Sequence, residues 1–325
     1  MSTTSTIPQF GRKWNIAITA TPDENGFSDT LTFGSSDWDT EGLKVEFEVK
    51  TGVRQALWFA DIAIYNLNSS AANLTITQGM SVTLDAGYMN QPYGTIFDGT
   101  IYQPTWERID VINYKLTLHC IVSIGIGTNN FAIGNNAAGI KQREAVARMA
   151  AKALVPINIL PQDSVSSAAL DAATLSRGMV WFGDPVKYFE QATKQNNINT
   201  WATTQGQQIQ SLQANPNQAP TVTVGAGLGL VGTPQQTQYG VDLRLLLNPN
   251  VLPLTKIQLD QSVTIRQLQQ TPTVDGSNFA TSLDQSGTYI VGGVSFVGDT
   301  RGNAWYVDVT GFQLRNNLLE LLGSW

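Results

Sequence analysis

The stretch "LKVEFEVK" at 43–50 alternates cleanly. Leu43, Val45, Phe47 and Val49 fall on one face, and Lys44, Glu46, Glu48 and Lys50 on the other. That is the signature of a half-buried strand with one wet face. Before it, Trp14, Ile16 and Ile18 are followed by a turn at Glu24-Asn25-Gly26 and then by Leu31 and Phe33, which reads as an opening hairpin. The pattern continues through "ADIAIYNLN" (60–68), "NLTITQGMSVTLDAGY" (73–88), "GTIFDGTIYQPTWERID" (94–110) and "NYKLTLHCIVSIGI" (113–126). Short strands separated by Gly, Asn and Asp turns predict a small antiparallel barrel or sandwich across roughly 12–126.

The period then changes. "AGIKQREAVARMAAKALVP" (138–156) places Ile140, Val146, Met149 and Leu154 at helical spacing and stops at Pro156. "DPVKYFEQATKQNNI" (184–198) offers Asp184 as an N-cap and Pro185 at the first helical position. "TWATTQGQQIQSLQ" (200–213) reads as a hairpin turned at Gly206. The polar, proline-bearing "QANPNQAP" (213–220) is a linker. The expected division is a first β domain over 1–126, a small α+β insertion with its linker over 127–220, and a second β domain over 221–325 that ends in an apolar tail.

Strands return at Thr221, and their order repeats the first region. "ADIAIYNLN", "NLTITQGMSVTL" and "GTIFDGTIYQPTWERIDVINYKLTL" find counterparts in "GVDLRLLLNPN", "LTKIQLDQSVTI" and "GTYIVGGVSFVGDTRGNAWYVDV". In each set a Gly-Thr strand opens a hairpin whose tip carries Arg and Trp. We read this as an internal duplication.

Composition narrows the function. Charged residues make up 14 % of the chain, about half the usual share. Much of the surface is therefore uncharged polar, as in β proteins that contact neighbours. The formal net charge of −6 argues against general nucleic-acid binding, which needs clustered Lys and Arg. The single cysteine, Cys120, permits no intrachain disulfide and fits a reducing compartment. "MSTTSTIPQFGRKW" lacks an apolar signal core, and no stretch approaches about 18 apolar residues, so neither export nor membrane insertion is expected.

Each candidate motif lacks a needed part. "GLGLVG" (227–232) has the letters of a dinucleotide loop, but Pro234 and a β-type run follow where a helix N-terminus is required. "DWDTEGLKVEFE" puts Asp37, Asp39, Glu41, Gly42 and Glu48 at calcium-loop spacing, yet an alternating strand replaces the exiting helix. His119 is the only histidine, so neither a zinc set nor a nucleophile-elbow triad can be assembled on sequence grounds. As strand neighbours, His119 and Cys120 face opposite sides, with Cys120 expected in the core. No carboxylate pair is marked for glycoside hydrolysis. No catalytic residue, cofactor site or metal site is assigned. "GDTRGNAWYVDV" (298–309) supplies a turn in which Asp299 and Arg301 pair locally or dock a neighbour. The closing "NNLLELLGSW" is too apolar to stay wet. The candidate interface residues are therefore Leu318, Leu319, Leu322, Trp325, Arg301 and Trp305.

"FADIAIYNLNSSAANLTITQGMSVTLDAGY…GTIFDGTI" resembles the first barrel of baseplate hub proteins of contractile-tailed bacteriophages. "GLVGTPQQTQYGVDLRLLLNP" and "GTYIVGGVSFVGDTRGNAWYVDV" resemble the second. The resemblance implies a mainly β protein of two related antiparallel tube-type barrels with a small α+β insertion. It implies a homotrimeric, pseudo-sixfold ring in the virion's tail baseplate, assembled in the host cytoplasm. Such a ring joins a sixfold tail tube to a threefold central spike, touches other baseplate proteins, and lets DNA pass through its lumen during genome ejection without specific binding. A structural protein, not an enzyme, follows. The alternatives are a tail-associated cell-wall hydrolase and a carbohydrate-binding β module, the latter supported only by the tryptophans.

Overall fold

The computed structural model describes residues 11–20, 28–35, 42–52, 58–67, 76–90, 92–122, 132–153, 157–159, 164–183, 187–188, 191, 198–203, 206–211, 220–237, 240–260, 263, 265 and 287–313. They are mainly β. The chain divides into two compact units. One combines 1–52, 58–121 and 220–314; the other holds 53–57, 122–219 and 315–325.

Among the described residues, the first unit is built on one sheet of 13 strands. Its first region supplies β1 (Arg12–Thr19), β2 (Thr30–Gly34), β3 (Val45–Gly52), β4 (Phe59–Tyr65), β5 (Ser81–Tyr88), β6 (Tyr93–Arg108) and β7 (Tyr114–Ile121). Its second region supplies β13 (Thr221–Val224), β14 (Leu230–Gln236), β15 (Gly240–Leu246), β16 (Lys256–Leu259), β17 (Thr288–Asp299) and β18 (Trp305–Gln313). The alternation read from the sequence sets the core. Trp14, Ile16 and Ile18 of β1, Val45, Phe47 and Val49 of β3, and Leu116, Leu118 and Cys120 of β7 are all buried, while their strand neighbours reach water.

The duplication is present in the hydrogen bonding. The first region runs β3-β4-β7-β6-β5-β1, and the second runs β14-β15-β18-β17-β16-β13. Registers correspond as well as order. β6 pairs with β7 through a bulge between Ile101 and Gln103, and β17 pairs with β18 through a bulge between Val291 and Gly293. Counting from the bulges, Asp61 opposite His119 answers to Asp242 opposite Thr310. Ile62 and Ile64 answer to Leu243 and Leu245, all buried. Within the matched stretches 73–84 and 254–265 the pairings equate Ser81–Leu84 with Lys256–Leu259, because Thr100 pairs with Ser81 as Ile290 pairs with Lys256. The bulges fix this register. The regions also differ. β1 lies antiparallel to β5, whereas β13 lies parallel to β16, and among the described residues β2 has no counterpart.

The second unit contains β8 (Ala132–Asn136), α1 (Gln142–Ala153), β9 (Ile157–Ile159), α2 (Ser164–Ala172), β10 (Met179–Gly183), β11 (Ile198–Thr203) and β12 (Gly206–Ser211). The expected helix appears as α1, with Ala145, Val146, Met149 and Ala150 buried along one stripe. The expected hairpin appears as β11–β12. β9 joins it in parallel, β8 pairs with β10, and α2 is an element the sequence reading missed. Most of the helix expected over 184–198 lies outside the described residues.

Candidate assembly surface

The two β regions are joined edge to edge. β17 lies antiparallel to β3, from Gly293 opposite Gly52 to Asp299 opposite Glu46. The hairpin tip beyond Asp299 then grips the first region. The Thr300 amide donates to Val45 O at 2.9 Å, and the Val45 amide donates to Thr300 Oγ1 at 2.9 Å. From β1, Arg12 Nη1 donates to Asp299 O at 2.7 Å and to Gly302 O at 2.5 Å. Nothing in the sequence singles out Arg12. Its role depends on the start of β1 and the hairpin tip being brought together across 290 residues of chain.

Trp305 sits at the centre of this join, 2 % exposed. Its indole Nε1 donates to Gly87 O at 3.0 Å, and its ring meets Phe47 edge-on at 5.4 Å. Arg12 stacks over the ring at 5.5 Å, and Tyr88 donates its hydroxyl to Trp305 O at 3.4 Å. Burial raises the Tyr88 hydroxyl pKa, with a smaller opposing effect from Arg12. Gly298 is required here, since a Cβ would stand 2.1 Å from the Phe47 ring. Arg301 donates through Nη2 to Gly42 O, and its amide donates to Asp299 Oδ1 at 2.8 Å. The structure thus places both Arg301 and Trp305 on the join between the chain's own β regions. Leu318, Leu319, Leu322 and Trp325 lie outside the described residues, as do Asp37, Asp39 and Glu41.

A second feature is an apolar stripe left at the surface. Along β6 and the β6–β7 tip, Tyr102, Trp106, Ile109, Val111, Ile112 and Tyr114 are all exposed, Val111 at 81 % and Ile112 at 77 %. The tip is nevertheless ordered by Asp110. Its Oδ1 accepts from the Ile112 and Asn113 amides at 2.9 and 2.8 Å, and its Oδ2 from Asn113 Nδ2 at 2.6 Å. These bonds, the Asn113 side chain first, hold the Asp110 carboxyl pKa below its usual value. On the β13–β14 side, Leu228 and Val231 are exposed too. The sequence carried a signal for the tip that went unused, since "RIDVIN" puts three branched apolar residues around a turn.

The chemically suggestive residues have structural partners. His119 Nδ1 and Asp61 Oδ1 are 2.6 Å apart as cross-strand neighbours, with the Tyr102 ring tilted toward the imidazole at 6.0 Å. Cys120 is buried, and burial drives its thiol pKa far up, as expected of a core residue. Arg244 forks onto Asp308 at 2.6 and 2.9 Å. "GLGLVG" covers the end of the turn after β13 and the first three residues of β14, so a strand stands where a phosphate-binding helix would be needed. Among the described residues no three His, Cys, Asp or Glu converge as metal ligands, and no helix is long and apolar enough to cross a membrane.

No family model matches this sequence, and no curated protein matches it. Solved structures do match. The 43 kDa tail protein of prophage MuSo2 from Shewanella oneidensis is 7 % identical, with a TM-score of 0.55 over 93 % of this chain and 99 % of that one. A tail protein from Neisseria meningitidis MC58 is 8 % identical, with a TM-score of 0.56 over 94 % of this chain and 97 % of that one. An Escherichia coli type VI secretion component, described as similar to the T4 bacteriophage tail proteins gp27 and gp5, is 8 % identical. Its TM-score is 0.52 over 85 % of this chain and 75 % of that one. The chain is a mainly β protein with a large antiparallel sheet, and it has the fold of these tail proteins along nearly its whole length.

Proposed function

We propose that this protein is the structural hub of a contractile-tail baseplate. Three copies form a pseudo-sixfold ring that joins the sixfold tail tube to the threefold central spike, with DNA passing through the lumen. The carrying observation is the repeated strand order and register, fused into one sheet through β3 and β17. Two like units per chain are what a threefold ring needs to present six like positions. The fold shared with tail proteins supports the same reading. So does the net charge of −6, which suits a channel that DNA must leave without sticking. The division into two tube-type barrels over 1–126 and 221–325, with the insertion between, belongs to this proposal. So does docking of Leu318, Leu319, Leu322 and Trp325 on a neighbouring subunit or the spike, and so does the absence of enzymatic activity.

Sedimentation of the purified full-length chain, with negative-stain images of the product, tests the proposal. A species of three chains with six like lobes around a channel is expected. Monomers at every concentration, alone and with tail tube protein added, would sink it. So would peptidoglycan clearance abolished by a single carboxylate substitution, because a structural ring has no catalytic carboxylate to lose.

A further inference from the structure

The second unit presents an apolar face at its surface. β8 and β10 pair antiparallel, with Ile133 opposite Phe182, Gly134 opposite Trp181 and Asn135 opposite Val180. Alternation sorts these residues onto two sides. On the inner side Trp181 is 2 % exposed, so close to Gly134 that a Cβ there would stand 2.3 Å from its ring. On the outer side Ile133 and Val180 are 57 and 75 % exposed, with Phe182 beside them at 67 %. Yet "MVWF" at 179–182 is an unbroken apolar run, the pattern of a strand kept dry on both faces. The outer face is also fixed in place. The Phe182 amide donates to the Tyr188 hydroxyl at 3.1 Å, and that hydroxyl donates to Phe182 O at 3.3 Å. A preformed face needs little further ordering to bind.

We infer that this face receives residues 316–325 of a neighbouring copy. The inference rests on the ring reading above and names the surface on which the apolar tail docks. At helical spacing Leu318, Leu321, Leu322 and Trp325 share one side, at i, i+3, i+4 and i+7, while Glu320 falls on the other. Asn317 stands just before the first leucine and Glu320 three residues further on, the order that starts a helix. A ten-residue helix is about 15 Å long and a five-residue strand spans about 17 Å, so the segment matches β8 and β10 in length. The outer residues Ile133, Asn135, Val180 and Phe182 are uncharged, as an apolar occupant requires. The exposed β6–β7 tip, by contrast, is a turn and offers no flat bed of this kind. Handing a terminal segment to the next identical copy is a low-cost route to a closed assembly.

The test uses the full-length chain. With the photoreactive residue benzoylphenylalanine in place of Leu319, at the flank of the docking side, illumination should link two chains. The linked peptides should include 132–136 or 179–183. A link to those peptides within one chain removes the handover to a neighbour, and links to other peptides place the tail elsewhere; either result overturns the inference. Independently, Val180→Asp should raise the concentration for half-assembly at least tenfold and leave the thermal transition of the chain in place. Deleting 316–325 should have the same effect on assembly, and the two changes together should do no more than either alone, as for two halves of one contact. Additive losses, assembly unchanged by Val180→Asp, or a lowered thermal transition in that variant would each overturn the inference. The native mass of the unmodified chain separates this docking from the ring. Three chains without the expected link leave the ring and remove the docking, whereas monomers at every concentration remove both.

Discussion

Two tryptophans at the ends of equivalent hairpins show how much context decides at the level of single residues. Trp305 fills the join, with its indole nitrogen bonded and its ring packed on Phe47 and Arg12. Trp106 lies on the counterpart of β17 with no such cover. Truncating a buried tryptophan removes packing and leaves a cavity, so Trp305→Ala should cost about 3–5 kcal/mol in urea unfolding. It also strips Gly87 O of its donor. Trp106→Ala should cost less than about 1 kcal/mol in the isolated chain, because half-exposed side chains lose little on truncation. Equal losses for the two variants would show that Trp106 is already covered within its own chain.

Among the elements, the bulges are shared by the two regions, and a close strand approach distinguishes them. The paired bulges keep the buried face of each long strand in phase with its hairpin partner beyond the shift. Without them every later side chain would change faces. Gly240 begins β15 hard against β18. A Cβ there would lie 2.0 Å from Gly311 O and 2.9 Å from Phe312 Cα. Backbone cannot swing aside as a side-chain tip can, so Gly240→Ala should force the strands apart and lower stability by about 1–3 kcal/mol or more. Denaturant titration measures it, and an unchanged midpoint would mean that the end of β15 yields freely. The first region shows what else the position allows. Its equivalent is Phe59, exposed at the end of β4, where the strand pair is not pinched.

At the scale of the whole molecule, the question is which apolar surface is satisfied inside the chain and which by assembly. The tail over 316–325 holds Leu318, Leu319, Leu321, Leu322 and Trp325, and burying one such leucine is worth about 1.5–3 kcal/mol. Deleting these ten residues separates the possibilities. Docking on a neighbour or the spike predicts a truncated chain with a nearly unchanged thermal transition that no longer joins its partner. A chain that unfolds on truncation, yet assembles wherever it folds, would place the tail in its own core.

The alternating pattern by itself determined the strands and their buried faces. "LKVEFEVK" and "NYKLTL" could only sit with one side dry, and the alanine-rich 142–153 could only present a helical stripe. It also carried the duplication, because like strands in like order leave a visible trace. What the tertiary structure alone decided is which strands meet. A strand's hydrogen-bonding edges look the same from every sequence, so no pattern announces that β17 fuses to β3. For the same reason Arg12 was silent and Trp305 was legible only as an anchor of unknown side. The residue-by-residue register within the matched strands was not legible either, because it is set by bulges and turns and not by the identity of the letters within a strand.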